Sequence, residues 1–294
     1  MKIAAIVNGI SKGRAACIEA LRQQDVDIDI RVTKAVGDAQ DLSYDLSKAG
    51  EVLILCCGGD GTLNECINGI MKSGCETIKL GLYPIGSAND YARLFPYHSI
   101  QELVQLAAND AGNSHDIVKI SFDGNHRFLA NISACGIGAE IAATVNARRF
   151  KMNPTLNYYS GIVSWLMKYQ APLIRIQMDD VVLEQRCFLA AIGKGKYAGN
   201  GLGLLPQTVI NEGKLGVSLI GDVNVFDFIR YQGRLKKGQK IVDSRVHYHR
   251  CKSASLEVID GVLALETDGE FYARLEAGHK VHFEIVESAI SFVY

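Results

Sequence analysis

The chain is 294 residues long, with 48% hydrophobic and 21% charged residues, an ordinary composition for a globular protein. This length exceeds one compact core at roughly 100 to 200 residues per domain, so we expect two domains. The 31 Lys and Arg residues nearly balance the 32 Asp and Glu residues. The resulting net charge of −1 excludes the broad basic surface of a protein that binds duplex nucleic acid.

The sequence shows neither a membrane span nor a disulfide framework. The longest strongly apolar run, at 52–57, has six residues, whereas a helix that crosses a bilayer needs about 20. The chain reaches the polar Asn8 before the apolar core of an export signal could form. Eight cysteines occur without a C-x-x-C pair, and we expect them to be reduced core residues. These features predict a cytoplasmic protein.

From its start, the chain alternates apolar strand-like runs with segments of helical periodicity. This β-α-β-α-β order predicts a parallel sheet with right-handed crossovers, in an α/β domain over residues 1–112. The predicted strands lie at 3–7, 26–32, 52–57 and 78–83, and the predicted helices lie at 15–21, 39–48 and 62–71.

After residue 112 the pattern changes to short apolar runs joined by turn signals. Asp123-Gly124-Asn125 and Asp179-Asp180 each separate two such runs, as expected for β-hairpins. We therefore predict a second, mostly antiparallel β domain over residues 113–287. Strands are predicted at 116–122, 127–133, 174–178, 181–183, 188–192, 215–220, 256–259, 262–265, 281–286 and 290–293, with helices at 138–147, 158–169 and 225–233.

A glycine-rich turn follows the third predicted strand. It reads Gly58-Gly59-Asp60-Gly61-Thr62 and leads directly into a helix. Glycines allow backbone N–H groups to approach an anion closely, and the N-terminus of the helix favours negative charge. A carboxylate beside a phosphate repels it unless a cation lies between them. Asp60 therefore indicates Mg²⁺ bound together with a nucleotide.

Two further polar loops follow strands of the same predicted sheet. The loop at 8–14 contains Lys12 and Arg14, and the loop at 83–90 contains Gly86-Ser87-Ala88-Asn89. Because parallel strands end at a common edge, the three loops together predict a nucleotide site. The chain has no G-x-x-x-x-G-K-[ST] motif and no G-x-G-x-x-G after its first strand. Neither a Walker-type P-loop nor a dehydrogenase cofactor fold is predicted.

Two sequence blocks stand out together: the glycine-rich turn extended by Leu63-Asn64-Glu65, and the block from Pro84 to Arg93. Together they resemble the diacylglycerol kinase catalytic-domain family, which includes bacterial lipid kinases, sphingosine kinases and ceramide kinases. Within this resemblance, Leu63-Asn64-Glu65 separates lipid kinases from NAD kinases, which share the GGDGT core alone. The resemblance continues at Asn131, Gly136, 199–206, 212–213, 237–238 and 267–270.

The resemblance implies an α/β nucleotide-binding domain like that of NAD kinase and phosphofructokinase, a β-sandwich-like second domain, and a cleft between them. In such proteins the C-terminal strand tends to return to the first domain, so residues 288–294 are the candidate for that return. ATP and Mg²⁺ are the implied cofactors, with Asp60 supporting the metal. The implied nucleotide-binding residues are Asn8, Thr33, Gly58, Gly59, Gly61, Thr62, Glu65, Gly86, Ser87 and Asn89.

Late in the chain, Asp268-Gly269-Glu270 matches the D-G-E motif of the family. The resemblance implies that Glu270 is the base for the acceptor hydroxyl and that Asp268 assists it, with Asp60 as the third member of the catalytic set. On the residues alone, this tripeptide is an ordinary hairpin turn of solvated acids. Bacterial relatives hold a structural Mg²⁺ near an Asp-Gly pair that is Glu212-Gly213 here, so Glu212 is a candidate metal ligand.

The implied activity is ATP-dependent transfer of a phosphoryl group to a hydroxyl of a membrane lipid, with diacylglycerol as the favoured acceptor. The partner is then a lipid at a membrane surface, which the protein contacts peripherally and transiently from the cytoplasm. The formation of a homodimer stays an open alternative. The basic run between Phe228 and Val242 either faces anionic headgroups or is an ordinary solvated helix end. Two alternatives stay open: an NAD kinase-like enzyme, and a catalytically silent nucleotide-binding regulatory protein.

Overall fold

The computed structural model describes residues 2–50, 53–109, 111–140 and 169–294. Its first part alternates strands and helices as predicted, and the first four strands pair in parallel in the order β2-β1-β3-β4. The strands are β1 (Ile3–Val7), β2 (Asp29–Val32), β3 (Leu53–Gly58) and β4 (Lys79–Pro84). The helices are α1 (Arg14–Arg22), α2 (Asp38–Lys48), α3 (Asp60–Ser73) and α4 (Ile100–Ala108), with a 3₁₀ turn at Ala92–Leu94.

The parallel sheet does not end at β4. It continues through six more strands, which are β5 (Asn113–Phe122), β6 (Asn125–Leu129), β8 (Leu173–Met178), β9 (Val181–Arg186), β15 (Ser253–Asp260) and β18 (Lys280–Val293). The long strand β18 joins the two parts: it runs parallel to β4, with Ser291 opposite Lys79, and antiparallel to β5 and β15. Because the sheet continues across residue 112, the boundary between two domains stays a prediction.

A second, fully antiparallel sheet has the order β14-β13-β10-β7-β16-β17. Its strands are β7 (Ile132–Gly136), β10 (Leu189–Gly193), β13 (Leu215–Ile220), β14 (Val246–Cys251), β16 (Val262–Thr267) and β17 (Glu270–Glu276). The remaining elements are the short pair β11 (Tyr197–Ala198) and β12 (Leu202–Gly203), and helix α5 (Val225–Lys236). The predicted helices at 138–147 and 158–169 fall mainly on residues 141–168, which lie outside the described residues.

Three predicted strands differ from the structure. The predicted strand 127–133 is broken, because β6 ends at Leu129 in the first sheet and β7 begins at Ile132 in the second. Asn131 sits at the crossing, where its carbonyl accepts hydrogen bonds from the N–H groups of Lys194 and Gly195 at 2.9 and 3.0 Å. Conversely, the predicted strands 281–286 and 290–293 are one strand, β18, with an irregularity between Val286 and Ile290.

Apolar side chains fill the space between the two sheets. The first sheet contributes residues such as Val118, Leu256 and Phe283, and the second contributes residues such as Ile192 and Val217, all of them buried. This packing confirms the predicted β-sandwich character of the second part of the chain. All eight cysteines are free thiols; seven are buried as predicted, whereas Cys75 is only partly buried and is not a core residue. Within the described residues, no helix has the length and apolar character needed to cross a membrane.

A buried ion pair ties the second part of the chain together. The ammonium of Lys194, which is 0% exposed, lies 3.0 Å from Asp116 and donates to the carbonyl of Lys214 at 2.7 Å. The carboxylate of Asp116 also accepts from the N–H groups of Gly213 and Ser288, at 2.8 and 3.0 Å. One carboxylate on β5 therefore fixes the segment before β13 and the irregular part of β18.

We predict that Lys194→Met lowers the free energy of unfolding by about 3–5 kcal/mol, because it leaves a buried carboxylate without its countercharge. Urea denaturation measures this change. The control is Lys119→Met, which removes a partly exposed ion pair with Glu284 at 2.8 Å and should cost less than about 1 kcal/mol. Equal losses in the two variants would show that the buried pair has no special role.

Candidate active site

Three loops meet at the carboxyl edge of β1, β3 and β4, as predicted. The backbone N–H of Ile85 donates to the carbonyl of Gly58 at 3.0 Å, which joins the second and third loops. The side-chain amide of Asn8 donates to the Thr62 hydroxyl at 2.8 Å, which joins the first loop to α3. The Thr33 hydroxyl accepts from the N–H of Gly9 at 3.0 Å. Thr33, at the end of β2, therefore borders the same edge.

Two glycines allow the loops after β3 and β4 to come into contact. A Cβ atom built on Gly86 would lie 2.4 Å from the Cα of Gly59, and one built on Gly58 would lie 2.4 Å from the Cβ of Thr62. Only glycine fits such spacings. Asn89 has a φ of +51°, and its side chain donates to the carbonyl of Gly86 at 2.9 Å. Its buried Oδ1 atom has no hydrogen-bond partner among the described residues and lies beside this contact.

Asp60 holds the loop that follows β4. Its two carboxylate oxygens accept hydrogen bonds from the backbone N–H groups of Asp90 and Tyr91, each at 3.0 Å. Each oxygen has a second lone pair, so the carboxylate can still serve a cation. The role that the structure gives Asp60 is to position the loop containing Gly86, Ser87 and Asn89. Support of a metal ion by Asp60 stays a prediction.

Glu65 makes the same kind of contact with α2. Its carboxylate accepts hydrogen bonds from the N–H groups of Gly37 and Ala39, at 2.9 and 3.0 Å. Gly37 has a φ of +93° and precedes the first residue of α2. Glu65 therefore closes the N-terminus of that helix and supports the segment that follows Thr33. Direct binding of a nucleotide by Glu65 stays a prediction.

The Asp268-Gly269-Glu270 segment is the turn between β16 and β17, and it lies against the start of α3. Asp268 accepts hydrogen bonds from the Asn64 amide at 2.6 Å and from the Ile132 N–H at 3.1 Å. A Cβ atom built on Gly61 would lie 3.2 Å from a carboxylate oxygen of Glu270. The structure thus brings the late acidic turn to the glycine-rich loop, although more than 200 residues separate them in sequence.

A polar network connects the two acids of this turn. The Oδ1 atom of Asn64 accepts from the guanidinium of Arg127, with Nε at 3.0 Å. Arg127 in turn donates to Glu270 at 3.0 Å. Glu270 is 35% exposed at its side chain, so it is the member of the network that a substrate can reach. The sequence analysis named neither Asn64 nor Arg127 as a site residue, although Asn64 lies within the Leu63-Asn64-Glu65 block.

Burial changes the acidity of this region. It raises the pKa of Asp268 to about 7, an effect that the hydrogen bond from Asn64 partly offsets and that the negative charge of Asp60 reinforces. Burial also raises the pKa of Glu266 to about 8, with a further contribution from Asp268. Groups that titrate near neutral pH beside a cleft are typical of catalytic sites.

Glu212 lies elsewhere, on the segment before β13. Its carboxylate accepts two hydrogen bonds from Arg250, at 3.0 and 2.8 Å. Across residues 2–50, 53–109, 111–140 and 169–294, no group of three or more His, Cys, Asp and Glu residues is arranged to hold a metal ion. Positive charges close to this segment include Arg250, Lys214 and the buried ammonium of Lys194. A structural metal at Glu212 stays a prediction.

Comparison with known families agrees with this geometry. Residues 2–120 match the diacylglycerol kinase catalytic domain, and residues 131–291 match the YegS C-terminal NAD kinase beta sandwich-like domain. The second match alone covers more than half of the chain. The protein therefore belongs to the family of lipid kinases that combine these two domains, and as a member of a kinase family it is a phosphotransferase.

Individual relatives match over nearly their whole length. The protein named "Probable lipid kinase YegS-like" from Xanthomonas oryzae is 28% identical over 274 residues, which cover 90% of this chain and 88% of that protein. The diacylglycerol kinase of Bacillus subtilis is 24% identical over 280 residues, covering 92% and 90%.

Solved structures show the same fold. A diacylglycerol kinase from Bacillus anthracis superposes with a TM-score of 0.73 at 20% identity, covering 100% of this chain and 96% of that one. The yeast NADH kinase, solved with NADH, superposes with a TM-score of 0.55 at 11% identity, covering 100% and 83%. The resemblance of the first part of the chain to NAD kinases is thereby confirmed at the level of the fold.

We predict that Gly86→Ala weakens binding of a non-hydrolysable ATP analogue by at least about 10-fold, because the new Cβ would force the two loops apart. Isothermal titration calorimetry measures the affinity. The control is Gly233→Ala, since a Cβ at Gly233 meets no atom within 4 Å. Unchanged affinity in Gly86→Ala would show that the contact between the loops does not shape the nucleotide site.

The acidity of Asp268 predicts the pH dependence of activity. If the ionised form is needed to hold the turn, kcat/KM should rise with pH through about 7, the pKa of Asp268. Asn64→Ala removes a hydrogen bond that lowers this pKa, so the inflection should move to higher pH. The control Asn125→Ala removes an exposed amide on β6 that donates to the carbonyl of Asp123 and contacts neither Asn64 nor Asp268. An inflection that does not move in Asn64→Ala would contradict this assignment.

Proposed function

We propose that the protein transfers the γ-phosphoryl group of ATP to a hydroxyl of a membrane lipid, with diacylglycerol as the acceptor. The observation that carries the proposal is the contact between the Asp268-Gly269-Glu270 turn and the glycine-rich loop, through Asn64 and Arg127. Phosphoryl transfer needs a site for the phosphates and a positioned base for the acceptor proton. The contact places the partly exposed carboxylate of Glu270 beside the glycine-rich loop, whose backbone suits phosphates.

Within this proposal, the three loops bind the nucleotide. The N-terminus of α3 begins at Asp60 and directs its free N–H groups toward the carboxyl edge of the sheet. The contact of Gly59 with Gly86 leaves no side chain between the loops, so an anion can approach both backbones. Asp60, through the N–H groups of Asp90 and Tyr91, keeps the loop after β4 in place.

The residues around the loops also suit Mg²⁺. The acidic side chains there are Asp60, Asp268 and Glu270, and Mg²⁺ is commonly bound through one or two carboxylates together with the phosphates of the substrate. When bound, the ion neutralises negative charge on the phosphates that are being transferred. Asp60 is the residue that we assign to the metal, because it lies within the loop that receives the phosphates.

Glu270 is the base that we assign to the acceptor hydroxyl. It is the more exposed of the two acids in the turn, and Arg127 fixes the direction of its carboxylate. Asp268 is nearly buried and accepts from Asn64 and Ile132, so it positions the turn and does not meet the acceptor itself.

The test is a transfer assay with γ-labelled ATP and Mg²⁺, offered diacylglycerol, sphingosine and ceramide in mixed micelles, and NAD and fructose 6-phosphate in solution. We expect label in a lipid. Glu270→Gln should lower kcat by about 10²- to 10⁴-fold and leave ATP affinity unchanged, because the amide keeps the shape but cannot accept the proton. The control Glu276→Gln alters an exposed acid at the far end of the same strand and should keep full activity.

The outcomes separate the alternatives. Transfer to NAD alone would establish an NAD kinase-like enzyme, and ATP binding with no transfer to any acceptor would establish a silent nucleotide-binding protein. Transfer to sphingosine or ceramide would keep the class of reaction and change the acceptor. Full activity in Glu270→Gln would assign the base to another group.

A further inference from the structure

Helix α5 presents large apolar side chains to solvent. Phe226 is 82% exposed and Ile229 is 59% exposed. Their exposure is not caused by a frayed helix end, because Asn224 caps the N-terminus and accepts from the N–H groups of Phe226 and Asp227 at 2.9 and 3.0 Å. The helix is therefore well formed where it carries these residues.

The opposite side of α5 packs against the rest of the protein. Tyr231 and Leu235 are buried in a core that includes Ile241 and Val246. Three or four residues separate neighbours on one helix face, so Phe226, Ile229 and Gly233 form a continuous outer stripe. Since the inner face already fixes the helix to the protein, the fold does not need the apolar residues of the outer face.

Cations surround this stripe. The chain from 229 to 241 contains no acidic residue. Asp227, at the start of the helix, pairs with Arg245 at 2.9 Å, and Arg245 also pairs with Asp243 at 2.8 Å. Within this stretch the exposed cations are Arg230, Arg234, Lys236, Lys237 and Lys240. The outer face of α5 thus combines exposed Phe and Ile side chains with the cations of Arg230, Arg234 and Lys236, and two more cations, Lys237 and Lys240, follow the helix.

We propose that this face of α5 together with the segment that follows it, defined by Phe226, Ile229 and the five cations, docks the protein on an anionic lipid bilayer. An interfacial helix of this kind inserts its apolar side chains at the level of the headgroups while its cations contact anionic lipids. The proposal rests on the proposed function, because a lipid acceptor must be reached at a bilayer surface. Because residues 229–241 carry five cations and no acid, this region favours an anionic membrane over a second copy of this nearly neutral chain.

A chain of direct contacts links the C-terminal end of α5 to the candidate active site. At the C-terminal end of α5, Gly238 packs against Gly203 of β12, where a Cβ on Gly203 would lie 2.4 Å from the Cα of Gly238. The turn between β11 and β12 donates from the N–H groups of Asn200 and Gly201 to Asp90, at 2.9 and 2.7 Å. Asp90 belongs to the loop held by Asp60. A protein bound through α5 therefore keeps its nucleotide loop near the membrane.

Sedimentation with vesicles tests the docking independently of catalysis. The probes are vesicles of phosphatidylglycerol and phosphatidylcholine in equal amounts, and vesicles of phosphatidylcholine alone. We expect binding to the first and little binding to the second, with a steep loss at high salt. Replacing Arg230, Lys236 and Lys237 by Gln should weaken binding by roughly 100-fold, at about 5-fold per cation. Phe226→Ser with Ile229→Ser should weaken it by at least about 10-fold.

Matched controls use exposed residues of the same types elsewhere. Val181→Ser with Val182→Ser removes exposed apolar side chains from β9, and Arg22→Gln with Lys280→Gln removes two exposed cations. Neither control should change binding. Losses as large in the controls as in the α5 variants would overturn the proposal, and so would vesicle binding by the α5 variants at the wild-type level. A wild-type dimer that the α5 variants dissociate, with no vesicle binding, would assign the face to a second copy.

A kinase assay separates this proposal from the proposed function. With a water-soluble, short-chain diacylglycerol, the α5 variants should match the wild type, because α5 contributes no residue to the phosphate loops or the acidic turn. With diacylglycerol embedded in anionic vesicles, the same variants should lose activity in proportion to their lost binding. Vesicle binding that depends on α5 without any lipid phosphorylation would refute the proposed function and keep the docking surface.

Discussion

The side-chain amide of Asn64 is the contact on which the candidate active site depends. It donates to Asp268 and accepts from Arg127, which holds Glu270, so one buried residue fixes the acidic turn against α3. An amide suits this place because it is a donor and an acceptor at once. A carboxylate could not donate to an ionised Asp268, and an ammonium could not accept from Arg127. A buried donor or acceptor that lacks its partner would destabilise the folded protein.

The loops around this contact are held by carboxylates that accept backbone N–H groups. Asp60 binds the loop after β4, Glu65 binds the start of α2, and Asp90 binds the turn between β11 and β12. In each case the carboxylate and the N–H groups belong to different segments of the chain. These three segments are therefore each held by a carboxylate from elsewhere in the chain, which gives the site a fixed geometry before a substrate arrives.

The sequence predicted most elements whose periodicity is local, although it missed α4, and it predicted that the loops after β1, β3 and β4 lie at one edge of the sheet. Strand β1 and the loops at Gly58 and Gly86 follow from apolar runs and glycines. The break at Asn131 could not be predicted, since apolar residues continue on both sides while the chain changes sheets. The hydrogen bonds of Glu65 to the start of α2 and the ion pair between Arg127 and Glu270 depend on tertiary packing. A pattern of residue types does not specify which segments come together.

The path of β18 constrains the order in which the protein can assemble. This strand lies between β4 and the strands of the sandwich, and it pairs with β5, which precedes it by more than 150 residues. The acidic turn likewise reaches its amide partner across 204 residues. Such distant pairings form slowly because a long loop must close first. On the ribosome, the first four strands can therefore fold early, but the acidic turn at 268–270 joins them only after nearly all of this chain has emerged.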